Sequence, residues 1–451
     1  MTLDARTACA RLLKEWIVLG DPPRIPSAEN DFWSQFPSME RGAAMDILSG
    51  ILRRRLTLDA VINAVSHRRS DQLDPVVRSI LWVGIYQLLF SDHIADYAAI
   101  DSSVRLAAKL NRNRAGGFIN AVLRSVQRLE PTLIQDGKPS ARSCPLDRHR
   151  WLSFNRDIFP SPLTKKISYW MCAASVPEGL VKALFAALGD DALTVLIDAN
   201  VRPPVICRVD RPFAPEDSTR LQPHADRGWA LVGGGVNGEI VAAIERGDLS
   251  PQDTTAGVAG AWMIDALKPA DSRGESSGEV LDLCAGLGTK TVQMAMAGLR
   301  VAATDIDEEK LELLKKREAR IKTGRIRVLP ALPAAEIAPG FAGVLVDVPC
   351  SNTGVLARRP EVRWRIMSLN MQSLRDTQVK LLRKGANLAQ EVLIYSTCSV
   401  LPDENQNSVR SFLAGDQGKP WELVREVCTL PMTEPQSWHD GGYAALLKRR
   451  A

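Results

Sequence analysis

The feature that most constrains this chain is the texture that begins at Glu279. From there, short and wholly apolar runs alternate with amphipathic helical stretches: VLDLC, a Gly-rich loop and helix, RVAATD, DEEKLELLKKREARIK, RIRVL, GVLVDV, MQSLRDTQVKLLRKGANLA and VLIYST. Strands without polar alternation have both faces covered, and helices between them supply the crossovers of a parallel sheet. The spacing therefore predicts a doubly wound α/β domain over 271–451, with ligands at the carboxyl ends of its strands.

The rest of the chain reads differently. Over 1–130, MERGAAMDILSGILRR, LTLDAVINAVSHRR, DPVVRSILWVGIYQLLF, YAAIDSSVRLAAKL and AGGFINAVLRSVQRL place apolar residues at helical spacing, which predicts an all-helical domain. Periodicity is lost over 131–173, where Pro, Ser and charge predict a linker. Residues 174–270 mix helical stretches with the strand-like PPVICRVD and WALVGG, a small α+β segment ahead of the doubly wound sheet.

Charge and cysteine usage narrow the function. Net charge is +5, but residues 101–150 hold ten Lys and Arg against four Asp and Glu, so a polyanion is expected there, at Arg105, Lys109, Arg112 and Arg114. The eight cysteines are single, without a C-x-x-C pair, and suggest neither a metal site nor a disulfide framework. No run approaches the roughly 18 apolar residues of a membrane helix, and MTLDARTACARLLKEW has no signal-peptide core, so a cytoplasmic monomer is expected.

Three motifs fall at predicted strand ends. VLDLCAGLGTKT places Cys284, Ala285, Gly286, Leu287, Gly288, Thr289 and Lys290 in a loop that opens a helix, where backbone N–H groups meet a polar ligand. Asp305 follows 17 residues after Gly288 (305 − 288), where an acid accepts hydrogen bonds from a ribose diol; its alternative role is a helix N-cap. The loop D-x-C-A-x-x-G-x-K-T suits S-adenosylmethionine better than a dinucleotide. DVPCSNTG from Asp347 and YSTCS from Tyr395 each put a cysteine, Cys350 and Cys398, just past a strand.

D-x-P-C-S-x-T-G and Y-S-T-C-S-x-x-x-x-E-N resemble the two cysteine motifs of the Nol1/Nop2/Sun family of RNA cytosine-5 methyltransferases. VRSILWVGIYQLLF and GGFINAVLR resemble the NusB-like domain fused in its bacterial Sun/RsmB branch; PPVICRVD, SPQDTTAGVAG and DGGYAALLKR also look like that family. The resemblance implies a Rossmann-like methyltransferase sheet behind an RNA-binding NusB-like domain, S-adenosylmethionine as cofactor, and small-subunit ribosomal RNA as substrate. It implies Cys398 as nucleophile on cytosine C6 and Cys350 as the residue that assists release. It also implies Asp347 at the cofactor's methionine end or the cytosine, with Lys290 near the same centre.

This chain departs from the family loop C-A-A-P-G-G-K-T at Gly286, Leu287 and Thr289, and the acid expected near 328–334 is missing, with Glu336 closest. Two other readings stay open. One is a DNA cytosine methyltransferase, which takes the Pro-Cys thiol as nucleophile; the other is a non-catalytic ribosome-assembly RNA binder with a decayed cofactor loop. ARRPEVRWR, 357–365, is expected either to grip phosphates and stack a base on Trp364 or to form a surface loop anchored by that Trp.

Overall fold

The computed structural model describes residues 4–23, 38–91, 94–267, 278–331 and 336–450, so residues 332–334 of the stretch searched for the missing acid lie outside the described residues. The chain forms two compact units. One comprises Met1–Val201 with Leu356–Ser368, the other Arg202–Val355 with Leu369–Ala451. Among the described residues no helix is long and apolar enough to cross a membrane.

In the first unit, helices occupy Ala5–Leu19, Ser38–Val65, Pro75–Phe90, Asp96–Lys109 and Gly116–Gln127. Local chemistry sets their ends. The Asp4 carboxylate accepts the Thr7 amide, and Asp74 accepts those of Val76 and Val77 ahead of Pro75, whose missing N–H costs nothing at a helix start. Ser38–Val65 is one helix where the pattern predicts two. Arg53 and Arg54 look like a polar break, yet both are buried, donating to the Ala357 carbonyl at 2.8 Å and the Pro145 carbonyl at 2.7 Å.

Residues 131–173, expected as linker, are structured. Strands β1 (Thr132–Gln135), β2 (Ser143–Pro145) and β3 (Arg150–Ser153) form an antiparallel sheet ordered β1-β3-β2, and Lys166–Ala173 is a helix. The strands are too short and too exposed along β1 to show alternation. Buried Trp151, Phe159, Tyr169 and Trp170 hold the segment by edge-on ring contacts 5.2 to 6.5 Å between centroids.

The tract 357–365 belongs to this helical unit rather than to a surface RNA grip. Arg363 is fully buried, donating to the Ala199 carbonyl at 2.6 Å and to Asn200 Oδ1 at 3.1 Å. Burial first, then the neighbouring Arg53 and Arg54 charges, hold its pKa well below the usual range. Trp364 donates its indole N–H to the Leu52 carbonyl at 2.9 Å and meets Trp16 edge-on at 5.4 Å. Of the basic residues expected to meet RNA, Arg105 pairs with Asp101, Lys109 with Asp4 and Arg112 with Asp74, while Arg114 is exposed.

The second unit opens with β4 (Val205–Val209), β5 (Leu221–Pro223), β6 (Trp229–Val232) and β7 (Leu249–Pro251), an antiparallel sheet ordered β5-β6-β4-β7. The larger sheet follows: β8 (Glu279–Asp282), β9 (Arg300–Ala303), β10 (Ile326–Val328), β11 (Phe341–Asp347), β12 (Ala389–Thr397), β13 (Trp421–Thr429) and β14 (Gly442–Arg449). Its order is β10-β9-β8-β11-β12-β14-β13, parallel through β12 and antiparallel at β14 and β13.

Both faces of this sheet are covered. Along β11, Val344 and Val346 pack with Leu382 and Ala386 of helix Met371–Leu388 on one side, and Leu345 packs with Met263 and Met294 on the other. That two-sided burial is why the strands read as unbroken apolar runs. The order reverses between β8 and β11, which opens a crevice at their carboxyl ends.

Candidate active site

Four strands deliver side chains to that edge. β8 ends at Asp282 and turns into the loop Cys284–Gly288; β9 leads to Asp305, β11 ends at Asp347 and leads to Cys350, and β12 leads to Cys398.

The loop is braced from β9. The Ala285 amide donates to the Thr304 carbonyl at 2.9 Å, and the Gly286 amide donates to Asp305 Oδ2 at 2.8 Å. Asp305 Oδ1 accepts the Asp307 amide at 3.0 Å, but Asp307 is the N-cap of helix Glu308–Ile321, so Asp305 is free of that role. Gly286 and Gly288 have φ of +55° and +76°, in the left-handed region. At Gly288 a Cβ would stand 2.3 Å from Leu314 Cδ1, whereas at Gly286 it would meet open space. Leu287 is half exposed, and Thr289 opens the helix Thr289–Met296.

Beneath the loop, Asp282 is buried, accepting the Thr291 hydroxyl at 2.7 Å on one oxygen while the other has no partner among the described residues. Burial, with added repulsion from Asp347 and Asp305, pushes its pKa up to about 7. The Cys284 thiol is likewise pushed up, by burial and then by the charges of Asp282, Asp347 and Asp305, so it stays protonated.

Lys290 joins the loop to the β11 edge. Its ammonium donates to Asp347 Oδ2 at 2.6 Å, and Ser396 donates to Asp347 Oδ1 at 2.7 Å. Burial opposes the Lys290 charge, but attraction and hydrogen bonding to Asp347 outweigh it and raise the pKa, so the pair is ionic.

The two thiols meet. Cys350 Sγ and Cys398 Sγ are 3.1 Å apart, and Cys398 Sγ is also 3.1 Å from Asn352 Oδ1. Cys350 is buried and Cys398 half-buried. The hydrogen bond to Cys398 comes first, then burial and the charges of Cys398 and Glu404; together they hold the Cys350 thiol well above its ordinary range. Cys350 therefore keeps its own proton. Residue 352 is left-handed, φ +59°, a conformation Asn tolerates, and its side-chain N–H donates to the Cys350 carbonyl at 2.8 Å.

Thr291, Asn352, Ser396 and Glu404 were not singled out from the sequence. Thr291, Ser396 and Glu404 stood there only as letters of G-x-K-T, Y-S-T-C-S and E-N, and Asn352 fell on the unspecified position of D-x-P-C-S-x-T-G.

Residues 3–128 match the NusB family, and residues 266–440 match 16S rRNA methyltransferase RsmB/F. The chain carries a NusB domain and an RsmB/F methyltransferase domain. Among relatives of this NusB–RsmB/F arrangement, ribosomal RNA small subunit methyltransferase B of Escherichia fergusonii is 29% identical over 399 residues, covering 83% of this chain and 82% of the relative. Its counterpart in Salmonella paratyphi B is 27% identical over 444 residues, 91% of each. The crystal structure of PH0851 shares the fold, with a TM-score of 0.67 at 19% identity across 100% of both chains. The RsmB/F domain is an S-adenosylmethionine-dependent methyltransferase.

Proposed function

We propose that the chain methylates C5 of a cytosine in 16S ribosomal RNA through a covalent bond between Cys398 and C6. The observation that carries this reading is the pair of thiols in contact at the carboxyl ends of adjacent strands, 3.1 Å apart, with only one of them recessed. A single strand-end cysteine is commonly a small buried hydrophobe. Two in contact, beside an ionic Lys290–Asp347 pair, are chemistry.

The residues fit the cofactor. An amino acid end and a nucleoside end both need hydrogen-bond acceptors and exposed amides. Asp305 retains lone pairs beyond the two amides it accepts, Asp347 is a third exposed, and Gly286 faces open space. Cys284, Ala285, Gly286, Leu287, Gly288, Thr289, Lys290, Asp305 and Asp347 would hold S-adenosylmethionine, which supplies an electrophilic methyl group.

Cys398 is the more exposed thiol and adds to C6, so that the electron pair of the C5–C6 double bond becomes available at C5, which takes the methyl group. The C5 proton then passes to solvent water as the Cys398–C6 bond breaks and the double bond re-forms. Cys350, holding its proton against Cys398, first keeps the attacking sulfur aligned and then returns a proton to it on release. The DNA-type alternative makes Cys350 the attacking residue, which its burial and raised pKa disfavour.

Bisulfite sequencing of 16S RNA incubated with the chain and cofactor tests the reading. One cytosine protected from deamination is expected. Methyl transfer to a base other than cytosine, or none, would overturn it.

A further inference from the structure

Behind the two thiols lies a buried acid that the reaction above does not use. Glu404 has no exposed surface, and four donors converge on its carboxylate. Oε1 accepts the Ser351 amide at 2.8 Å and the Gln378 side-chain amide at 2.9 Å; Oε2 accepts the Ser351 hydroxyl and the Ser399 hydroxyl, the latter at 2.5 Å. Ser351 directly follows Cys350, and Ser399 directly follows Cys398. One carboxylate thus ties together the residues next to both thiols.

The surroundings close around this tie. Ser351 and Ser399 hydroxyls are 3.1 Å apart, Thr353 lies 3.0 Å from Ser399, and the Gly354 amide donates to the Cys398 carbonyl at 2.9 Å. Gln378 spans from Glu404 to the Pro349 carbonyl, at 2.9 Å, just ahead of Cys350. Four donors on one buried carboxyl group, drawn from two loops and a helix, fix its geometry firmly.

We propose that Glu404 is a positioning residue that clamps the Cys350 and Cys398 loops at the separation where the two sulfurs are in hydrogen-bond contact. It touches neither substrate nor cofactor. The proposal rests on the reading of Cys350 and Cys398 as the working pair, and it assigns the maintenance of their contact to one side chain that follows Cys398 in the same loop and reaches across to the Cys350 loop. Glu404→Gln keeps the shape but replaces two acceptor lone-pair sites with donors, facing the Ser351 hydroxyl and a Ser399 hydroxyl that already accepts the Leu401 amide.

The test is a double-mutant cycle on thiol reactivity in the full chain. Iodoacetamide alkylation of Cys398 is followed by peptide mass spectrometry against pH in the native chain, Cys350→Ala, Glu404→Gln and the double variant. Loss of Cys350 should change the Cys398 rate by about 2- to 100-fold in the native background, and by much less once Glu404 is Gln. Methyl transfer by Glu404→Gln should fall about 10- to 100-fold in kcat with the KM for RNA and the cofactor affinity retained. If Glu404→Gln does not fold, Ser399→Ala removes one arm of the clamp and should show a smaller loss of the same coupling. Equal coupling with and without Glu404 overturns the proposal, as does the absence of coupling in the native chain. A native chain that shows the coupling but methylates no cytosine would refute the proposed reaction and leave the clamp standing.

Discussion

Cys350 and Cys398 differ in exposure and in surroundings, and that difference assigns them opposite behaviour when removed. On the proposed reaction, Cys398→Ala removes the group that activates C5, so neither methyl transfer nor an RNA adduct is expected. Cys350→Ala permits addition but slows elimination, so chain covalently linked to RNA should accumulate and run as a retarded band on a denaturing gel. A retarded band with Cys398→Ala and none with Cys350→Ala would reverse the roles. Asp282 makes a separate prediction in pH. Its folded pKa is about 7 against an ordinary 3.8, so the folded state binds an extra proton between those values. Its neutral form is the favoured one, and its contribution to stability declines as pH rises through that window, by a ceiling of about 4 kcal/mol. Asp282→Asn should flatten the decline between about pH 4 and 7 in denaturant unfolding. A variant as pH-dependent as the native chain would show that Asp282 is already ionised when folded.

The cofactor loop shows why departures from a family pattern can be tolerated. Where the family has Ala-Pro-Gly-Gly, this chain has Gly286, Leu287, Gly288 and Thr289. The glycine retained, Gly288, is the one at φ +76° with Leu314 against it; the one replaced opens a helix, where Thr is acceptable. Gly288→Ala should cost about 1–2 kcal/mol for the left-handed backbone alone, with further loss from crowding Leu314 and a matching drop in S-adenosylmethionine affinity by calorimetry. Unchanged stability and affinity would mean that the loop has another accessible conformation. The same reasoning explains what was legible beforehand. Strands buried on both faces, such as β11, announce themselves by composition, and the motifs at their ends follow. β1 to β3 do not, because three or four residues are too few to show a period. The Ser38–Val65 helix was split because buried arginines that bond carbonyls look like surface residues. Glu404 was visible only as a letter in a motif, since nothing local tells a clamp from a helix-end acid.

The NusB match over residues 3–128 ends close to where the sequence closes its helical domain, at 130, and the compact unit built on those helices takes in further segments. Residues 174–201 and Leu356–Ser368 both fold with the helices, the latter supplied from between two motifs of the methyltransferase sequence. Within that unit Trp364 lies against Trp16, and the Arg55 guanidinium sits over both rings, 4.3 Å and 5.0 Å from their centroids. Deleting residues 1–130 therefore removes the partners of Trp364 and some of those of Arg363, leaving an aromatic ring and a buried guanidinium without their cover. Such a chain is expected to aggregate or to lose protection of 356–368 in hydrogen exchange, rather than to behave as a free-standing enzyme. Trp364→Ala in the full chain is the milder version: a half-buried indole lost from a packed cluster should destabilise the helical unit by about 2–4 kcal/mol, seen as an earlier unfolding transition. A truncated chain that stays monomeric with 356–368 protected would show that this tract holds its conformation without the helices it is built into.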